Sequence, residues 1–285
     1  MYKKIASLVA ISSLFFACQK SAQETPVTST ESSQSQIGYL YPRNPATDSF
    51  YESVQGQTPI DIRFGKVVPY RGSDPVFHYV SFNGNVTYNQ THYVADPLNE
   101  SDPEAHDEYN LKVSVPAGNK DNYITINNTN YYLSQFHFHW RSEHKINGQD
   151  GAMEVHLVHA SDSGKMAVIG VLIQLGKANE VLQQVFDACP PTTGITNVLN
   201  NVNPALLLPT DTYHYFTYSG SLTTPGGGLL VLPYLQGLKW FVYADPIKLS
   251  NKQYTEYEDM FPEPNARPVQ PLGDRIIYGH LKTNH

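Results

Sequence analysis

The alternation of apolar and polar positions is most regular in the segment Gln135-Phe-His-Phe-His-Trp140. In a β-strand this alternation places Gln135, His137 and His139 on one face and the aromatic residues on the other. The aromatic face is expected to join an apolar core. The opposite face is expected to form a polar site.

A second alternating segment, Met153-Glu-Val-His-Leu-Val-His159, places Glu154 and His156 on one face. His159 falls on the other face and is expected to be structural. The chain between the two segments contains an Asn-Gly and an Asp-Gly dipeptide, which are strong turn signals. The two segments are therefore predicted to pair as antiparallel strands.

Three histidines would converge in such a pair. His137 and His139 lie roughly 7 Å apart on one strand, and His156 can complete the triangle from its neighbour. Three neutral imidazoles predict a Zn²⁺ site whose remaining position favours a bound hydroxide. Gln135 and Glu154 point to the same faces and could accept hydrogen bonds from the outer imidazole N–H groups. A His-x-His pair alone is a weak signal, but this combination is difficult to explain by packing.

The rest of the chain is rich in short alternating runs and contains 20 Tyr, 20 Pro and 19 Gly. Strands joined by turns are expected, with few helices, so the fold is predicted to be mostly β. One helix is predicted from Asn179 to Cys189, with Leu182, Phe186 and Cys189 on its apolar face.

The N-terminal segment resembles a secretory signal followed by a lipidation site. Positive charge at residues 1–4 precedes an apolar run that stops at Cys18 and is too short to span a membrane. Residues 1–17 are expected to be a signal peptide, and residues 18–36 a lipidated cysteine and flexible tether. An uncleaved anchor and plain secretion remain the alternatives to lipidation. A single folded domain is expected over residues 37–285. Lipidated Cys18 would leave Cys189 without a disulfide partner in the chain, so Cys189 is expected to be a buried, inert thiol.

The net charge of −7 and the scattered basic residues show no footprint for nucleic acid. A small or neutral substrate fits this composition better. The signal and the lipid anchor predict export across the inner membrane to the periplasm or cell envelope, with the chain held at a membrane by its lipid.

The metal-site residues closely resemble the signature of the α-class carbonic anhydrases. The resemblance includes Ser142-Glu-His144 and extends to four further segments: Gln57–Ile62, Met166–Gly170, Tyr218–Pro225 and Asn265–Leu272. It implies a single domain built on a large, mostly antiparallel twisted sheet with a few short helices. It also implies a zinc enzyme, a carbonate dehydratase that converts carbon dioxide to bicarbonate and a proton.

The resemblance assigns further roles. Thr223 would accept a hydrogen bond from zinc-bound hydroxide while donating one to Glu143, which orients the attack on carbon dioxide. Thr224 would help to hold bicarbonate. The apolar wall that receives carbon dioxide would consist of Val158, Val168, Leu222 and Trp240.

Two departures from the family pattern affect the expected site. Asn85 stands where the family has a proton-shuttle histidine, and asparagine does not titrate near neutral pH. His92 is either a substitute relay or a surface histidine, and proton transfer is expected to be limited by buffer. Residues Gly226 to Gln236 form an apolar insert whose role stays open, as does the oligomeric state.

Two other functions remain as alternatives. The domain could be a carbonic-anhydrase-like binding module at the cell surface with little catalysis. The spacing His137-x-His139-x-x-x-Glu143 also matches the start of a cupin metal motif, which would make Glu143 a ligand in an iron-dependent oxygenase. The later cupin glycine and proline spacing is missing, and Glu143 falls in a turn region.

Overall fold

Strands dominate the part of the chain that the computed structural model describes, residues 56–93, 106–223, 236–261 and 263–280. The strands are β1 (Asp61–Ile62), β2 (Val67–Pro69), β3 (Val76–His78), β4 (Phe82–Tyr93), β5 (His106–Ser114), β6 (Tyr123–Ile126), β7 (Thr129–Trp140), β8 (Lys145–Ile146), β9 (Met153–Ala160), β10 (Met166–Leu175), β11 (Thr196–Val202), β12 (Tyr215–Ser221), β13 (Gln236–Leu249) and β14 (Ile277–Gly279). The helices are α1 (Glu180–Asp187) and α2 (Asn251–Met260), with short 3-10 helices at Phe64–Lys66 and Pro204–Leu207.

Within these ranges, twelve strands form one large sheet in the order β11-β4-β5-β7-β9-β10-β13-β12-β14-β2, with β6 paired to β7 and β3 paired to β6. Most neighbours are antiparallel. The β10–β13 and β14–β2 ladders are parallel, so the sheet is mixed. β1 and β8 form a separate parallel pair. The prediction of a mostly β fold on a large, mostly antiparallel sheet with few short helices is confirmed.

Asparagine-rich turns set the register around the central strand β7. Asn127 and Asn128 have φ values of 48° and 59° and join β6 to β7 as a two-residue hairpin, for which left-handed residues match the strand twist. Asn147 and Gly148 also have positive φ in the connection from β7 to β9. β7 and β9 then pair antiparallel, as the sequence predicts, with His137 directly opposite His156.

Local caps determine where the helices begin. Asn179 accepts hydrogen bonds from the backbone N–H groups of Val181 and Leu182, which fixes the start of α1. The prediction that this helix reaches Cys189 is wrong, because α1 ends at Asp187. The N–H of Cys189 bonds to the carbonyl oxygen of Phe186, a tightened last turn beyond which the helix does not continue.

The apolar residues form two clusters, as the alternation along the strands requires. The larger cluster includes Phe136, Phe138, Val155 and Leu157 and is covered by the buried face of α1. The smaller cluster includes Val158 of β9 and its neighbours on β10, β12 and β13. None of the helices in the described ranges is long and apolar enough to cross a membrane.

Candidate metal centre

The side chains of His137, His139 and His156 lie close together on the neighbouring strands β7 and β9. The pairing of β7 with β9 brings their ring centroids to within 5.3 Å of one another, and all three rings are buried. One nitrogen from each ring lies within 4.8 Å of one nitrogen from each of the others. The three side chains therefore present a compact set of imidazole donors.

Each ring is oriented by a hydrogen bond from one of its nitrogens. The pairs are His137 Nδ1 with Gln135 Oε1 at 2.8 Å, His139 Nδ1 with the Asn265 carbonyl oxygen at 3.2 Å, and His156 Nε2 with Glu154 Oε1 at 2.9 Å. Because all three partners are acceptors, each bond holds the proton on that nitrogen and leaves the lone pair on the other. The donor atoms available to a metal are thus Nε2 of His137, Nε2 of His139 and Nδ1 of His156.

Glu154 links the triad to a fourth buried histidine, His144. Its Oε1 also lies 2.7 Å from His144 Nδ1, and its Oε2 accepts the backbone N–H groups of Glu143 and His144. Burial alone would raise the pKa of Glu154, but the electrostatic influence of His144 and His156 and their hydrogen bonds to the carboxylate hold it well below its usual range. Glu154 is therefore an ionised acceptor. His144 is fixed on its other side by the Tyr218 hydroxyl, 2.7 Å from Nε2.

Two of the triad histidines, His137 and His156, are held neutral. Burial lowers the pKa of His137 well below its usual value, and the nearby His139, His156 and Lys112 lower it further. Burial likewise lowers the pKa of His156. Lys112 lies directly opposite His137 on β5, and its ammonium donates to Asn89. A neutral imidazole is the form that binds a metal.

Glu143 and Thr223 lie together beside the triad, and both are buried. The Glu143 carboxylate accepts a hydrogen bond from the Arg267 backbone N–H at 3.0 Å. Burial raises the pKa of Glu143 to about 7, against the opposing influence of His156 and the hydrogen bonds from Arg267 and Thr223. Glu143 Oε1 lies 3.4 Å from His139 Nδ1, the ring nitrogen that already carries the proton. Glu143 Oε2 lies 3.7 Å from His156 Nδ1, so the carboxylate borders two of the three rings.

The four residues expected to form an apolar wall belong to the smaller core cluster. Val158, Val168 and Trp240 are buried, whereas Leu222 packs against the cluster and is partly exposed. The Trp240 ring centroid lies 4.9 Å from that of His156. Its indole N–H donates to the Ser221 carbonyl oxygen, so the ring orientation is fixed. The wall therefore borders the triad directly.

The remaining expected residues divide into those that the structure describes and those that it does not. Asn85 is exposed on β4. His92 lies seven positions later on the same strand. Thr224, Cys18 and residues 226–235 of the insert lie outside the described residues. Cys189 is a partly buried free thiol, and burial raises its pKa to about 11.

Several groups at the site carry no role in the sequence-based interpretation. They are the carbonyl of Asn265, the backbone N–H and guanidinium of Arg267, the hydroxyl of Tyr218 and the ammonium of Lys112. The guanidinium of Arg267 bonds to the Thr58 carbonyl and to Gln57, which lie near the beginning of the first described range. Asn265 and Arg267 do fall in the segment Asn265–Leu272. That segment was the only sequence signal for them, because their contacts span more than one hundred residues.

Comparison with known proteins agrees with this geometry. The family model described as eukaryotic-type carbonic anhydrase matches residues 48–280. A carbonic anhydrase of Nostoc sp. is 42% identical over 157 residues, which cover 54% of this chain and 56% of that protein. A carbonic anhydrase of Klebsiella pneumoniae is 31% identical over 204 residues, or 71% and 78% of the two chains.

The solved structure of α-carbonic anhydrase from Thermovibrio ammonificans, in complex with the inhibitor sulfanilamide, is also similar. It superposes with a TM-score of 0.68 at 30% identity over 82% of this chain and 91% of that one. The match to the Nostoc protein spans little more than half of that protein's length, whereas the structural match spans nearly all of the Thermovibrio chain.

Proposed function

The chain belongs to the eukaryotic-type carbonic anhydrase family, and from this we propose that it catalyses the reversible hydration of carbon dioxide to bicarbonate and a proton. The cofactor is a zinc ion held by His137, His139 and His156. The observation that carries the proposal is the buried triad of neutral imidazoles, each fixed by an acceptor on its outer nitrogen. The family match also contradicts the cupin alternative.

The residues present fit zinc by the chemistry of the donor set. Three imidazole nitrogens and one open position are the ligand set of a catalytic rather than a structural zinc site. Bound zinc acts as a Lewis acid that lowers the pKa of a coordinated water. Because the ligands are neutral, they leave the positive charge of the ion uncompensated. The ionised carboxylate of Glu154, one bond further out, increases the basicity of His156.

Thr223 and Glu143 orient the attacking oxygen. In its ionised form Glu143 only accepts hydrogen bonds, so the Thr223 hydroxyl donates its hydrogen bond to that carboxylate. Its oxygen then accepts a hydrogen bond from the attacking group and leaves that group's lone pair directed at the carbon of the substrate. Arg267 supports this arrangement, because its backbone N–H fixes the Glu143 carboxylate.

The apolar wall suits a neutral substrate that forms only weak hydrogen bonds. Val158, Val168, Leu222 and Trp240 offer carbon dioxide contact without competing polar groups. Thr224, the next residue after Thr223, is proposed to donate a hydrogen bond to bicarbonate. The product proton leaves through buffer, because Asn85 cannot relay it.

The location of the protein is a separate part of the proposal. Lipidation of Cys18 would hold the domain at a membrane of the cell envelope, with residues 19–36 as a tether. Both features lie outside the described residues and stay predictions from the sequence.

Stopped-flow hydration of carbon dioxide tests the proposed activity. The full chain is freed of metal with a chelator and assayed before and after addition of one equivalent of zinc. We expect hydration well above the uncatalysed rate only in the zinc-loaded sample. Zinc binding without hydration would contradict catalysis and support the alternative of a cell-surface binding module.

A further inference from the structure

A second cluster of potential metal ligands lies away from the triad and consists of Asp211, His214 and Asp245. His214 Nδ1 lies 2.8 Å from Asp211 Oδ2 and 3.7 Å from Asp245 Oδ2. The side chains are 19%, 37% and 43% exposed for His214, Asp211 and Asp245, respectively. The cluster is thus reachable from solvent while its donor atoms stay close together.

The imidazole nitrogen is not hydrogen-bonded to the nearby carboxylate. His214 Nδ1 is buried at the atomic level and has no hydrogen-bond partner among the described residues, although Asp211 Oδ2 is only 2.8 Å away. The distance between the two atoms suits a hydrogen bond, so the angle between them must be unsuitable. One donor atom from each of the three groups lies within 4.8 Å of a donor atom of each of the others. Ligands about 2.1 Å from one ion, at angles of 90–110°, lie about 3.0–3.4 Å apart, and the two measured distances bracket that range.

Backbone hydrogen bonds position Asp211 and His214. The Tyr213 N–H donates to Asp211 Oδ1 at 2.9 Å, so that carboxylate is fixed through one oxygen while Oδ2 faces the imidazole. The Ala244 N–H donates to the His214 carbonyl oxygen at 2.9 Å, which joins the segment before β12 to β13.

An irregularity in β13 exposes the third ligand. Between Tyr243 and Ile247 this strand advances by four residues while its partner β10 advances by two, from Val171 to Ile173. Two residues are therefore extra, and the bulge that contains them carries Asp245. Bulges re-aim side chains in this way.

We infer that Asp211, His214 and Asp245 form a second metal site, which binds a divalent transition-metal ion such as zinc with water in the remaining positions. One imidazole and two carboxylates suit such an ion, and the two negative charges balance its charge. The bound ion links Asp211 and His214, in the segment before β12, to Asp245 in the bulge of β13. This inference does not depend on the triad or on catalysis.

Equilibrium dialysis of the tag-free full chain against buffered zinc tests the inference. The wild-type chain is expected to bind two zinc ions with different affinities, and the second ion is expected to raise the midpoint of thermal unfolding. His214→Ala should bind one ion, and Asp211→Asn and Asp245→Asn should weaken only the second. Asp162→Asn, which alters an exposed carboxylate paired with Lys120, is the matched control and should change neither binding step.

Two results would overturn the inference. One zinc ion per chain in both the wild type and His214→Ala would show that the cluster is only an Asp–His ion pair. Two ions retained by a folded His214→Ala variant, checked by circular dichroism, would place the second ion elsewhere. Both outcomes are distinct from failure of the proposed activity, because hydration with one equivalent of zinc is measured on the same wild-type sample.

Discussion

Replacing Glu154 with glutamine is expected to remove most of the zinc affinity while keeping the side-chain volume. The carboxylate accepts four hydrogen bonds, from both histidine rings and from two backbone N–H groups. Glutamine has one oxygen and one NH₂ group, so it can satisfy only one of these two sets. If its oxygen keeps the backbone bonds, the NH₂ group faces His156 Nε2 and drives the proton of that ring to Nδ1. Nδ1 is the nitrogen that the metal needs.

The opposite orientation of the glutamine is also costly. Its NH₂ group would then face the backbone N–H groups of Glu143 and His144, which are buried. Two buried donors without acceptors cost about 1–3 kcal/mol each, so the free energy of unfolding should fall by about 2–6 kcal/mol. In the first orientation the loss appears in zinc affinity, by about 100-fold or more, because a ligand is lost rather than only its outer partner.

Zinc affinity is measured by competition with a chelating dye, and folding by circular dichroism and thermal unfolding. Gln135→Ala is the matched control, because Gln135 is half-buried and makes one bond to one ring. Its zinc affinity should fall by about 10-fold. Wild-type zinc affinity in a stable Glu154→Gln variant would refute the argument that this carboxylate fixes the tautomer of His156.

Three further predictions concern orientation, proton release and the free thiol. Thr223→Ala should lower kcat/KM for hydration by about 100-fold in stopped flow without changing zinc content, whereas Thr223→Ser should retain most activity; equal losses in both variants would argue against a role for the hydroxyl. The wild-type kcat should rise with imidazole buffer concentration, and Asn85→His should raise kcat at low buffer only; a wild-type rate independent of buffer would contradict this. With its pKa raised to about 11 by burial, the Cys189 thiol should be roughly one-thousandth ionised at pH 8. Alkylation by iodoacetamide in a Cys18→Ser chain should therefore be slow and should accelerate as pH rises toward 11; fast alkylation of the folded chain at pH 8 would show an exposed thiol.

The strand pair at the triad could be predicted from the sequence because every relevant interaction is local. Alternation assigns His137, His139 and His156 to faces, and the turn signal at Asn147 makes the strands antiparallel. The positions of Gln135 and Glu154 follow from the same rule. None of these steps needs information about distant parts of the chain.

The rest of the site depends on contacts between distant residues. The Asn265 carbonyl reaches His139 across 126 positions, and no local pattern indicates it. Gly170 is a further example. A Cβ there would lie 2.8 Å from Glu154 Oε1, a constraint that appears only once β10 is placed beside β9.

The helix α1 shows a different limit of sequence patterns. Its apolar spacing continues to Cys189, so periodicity alone extends the helix too far. The chain turns at Ala188 and Cys189, and Pro190 follows, which cannot donate the next helical hydrogen bond. Element ends are therefore set by backbone hydrogen bonds that the apolar pattern does not encode.

A comparison of His156→Ala with His159→Gln tests the three-histidine zinc centre. Both histidines are buried on β9, but His159 faces the opposite side, with its Nε2 2.7 Å from the Tyr79 hydroxyl. Zinc affinity and the hydration of carbon dioxide are measured on the same samples. We expect His156→Ala to lose both tight zinc binding and hydration, and folded His159→Gln to keep both. Wild-type hydration by His156→Ala would contradict the three-histidine zinc centre.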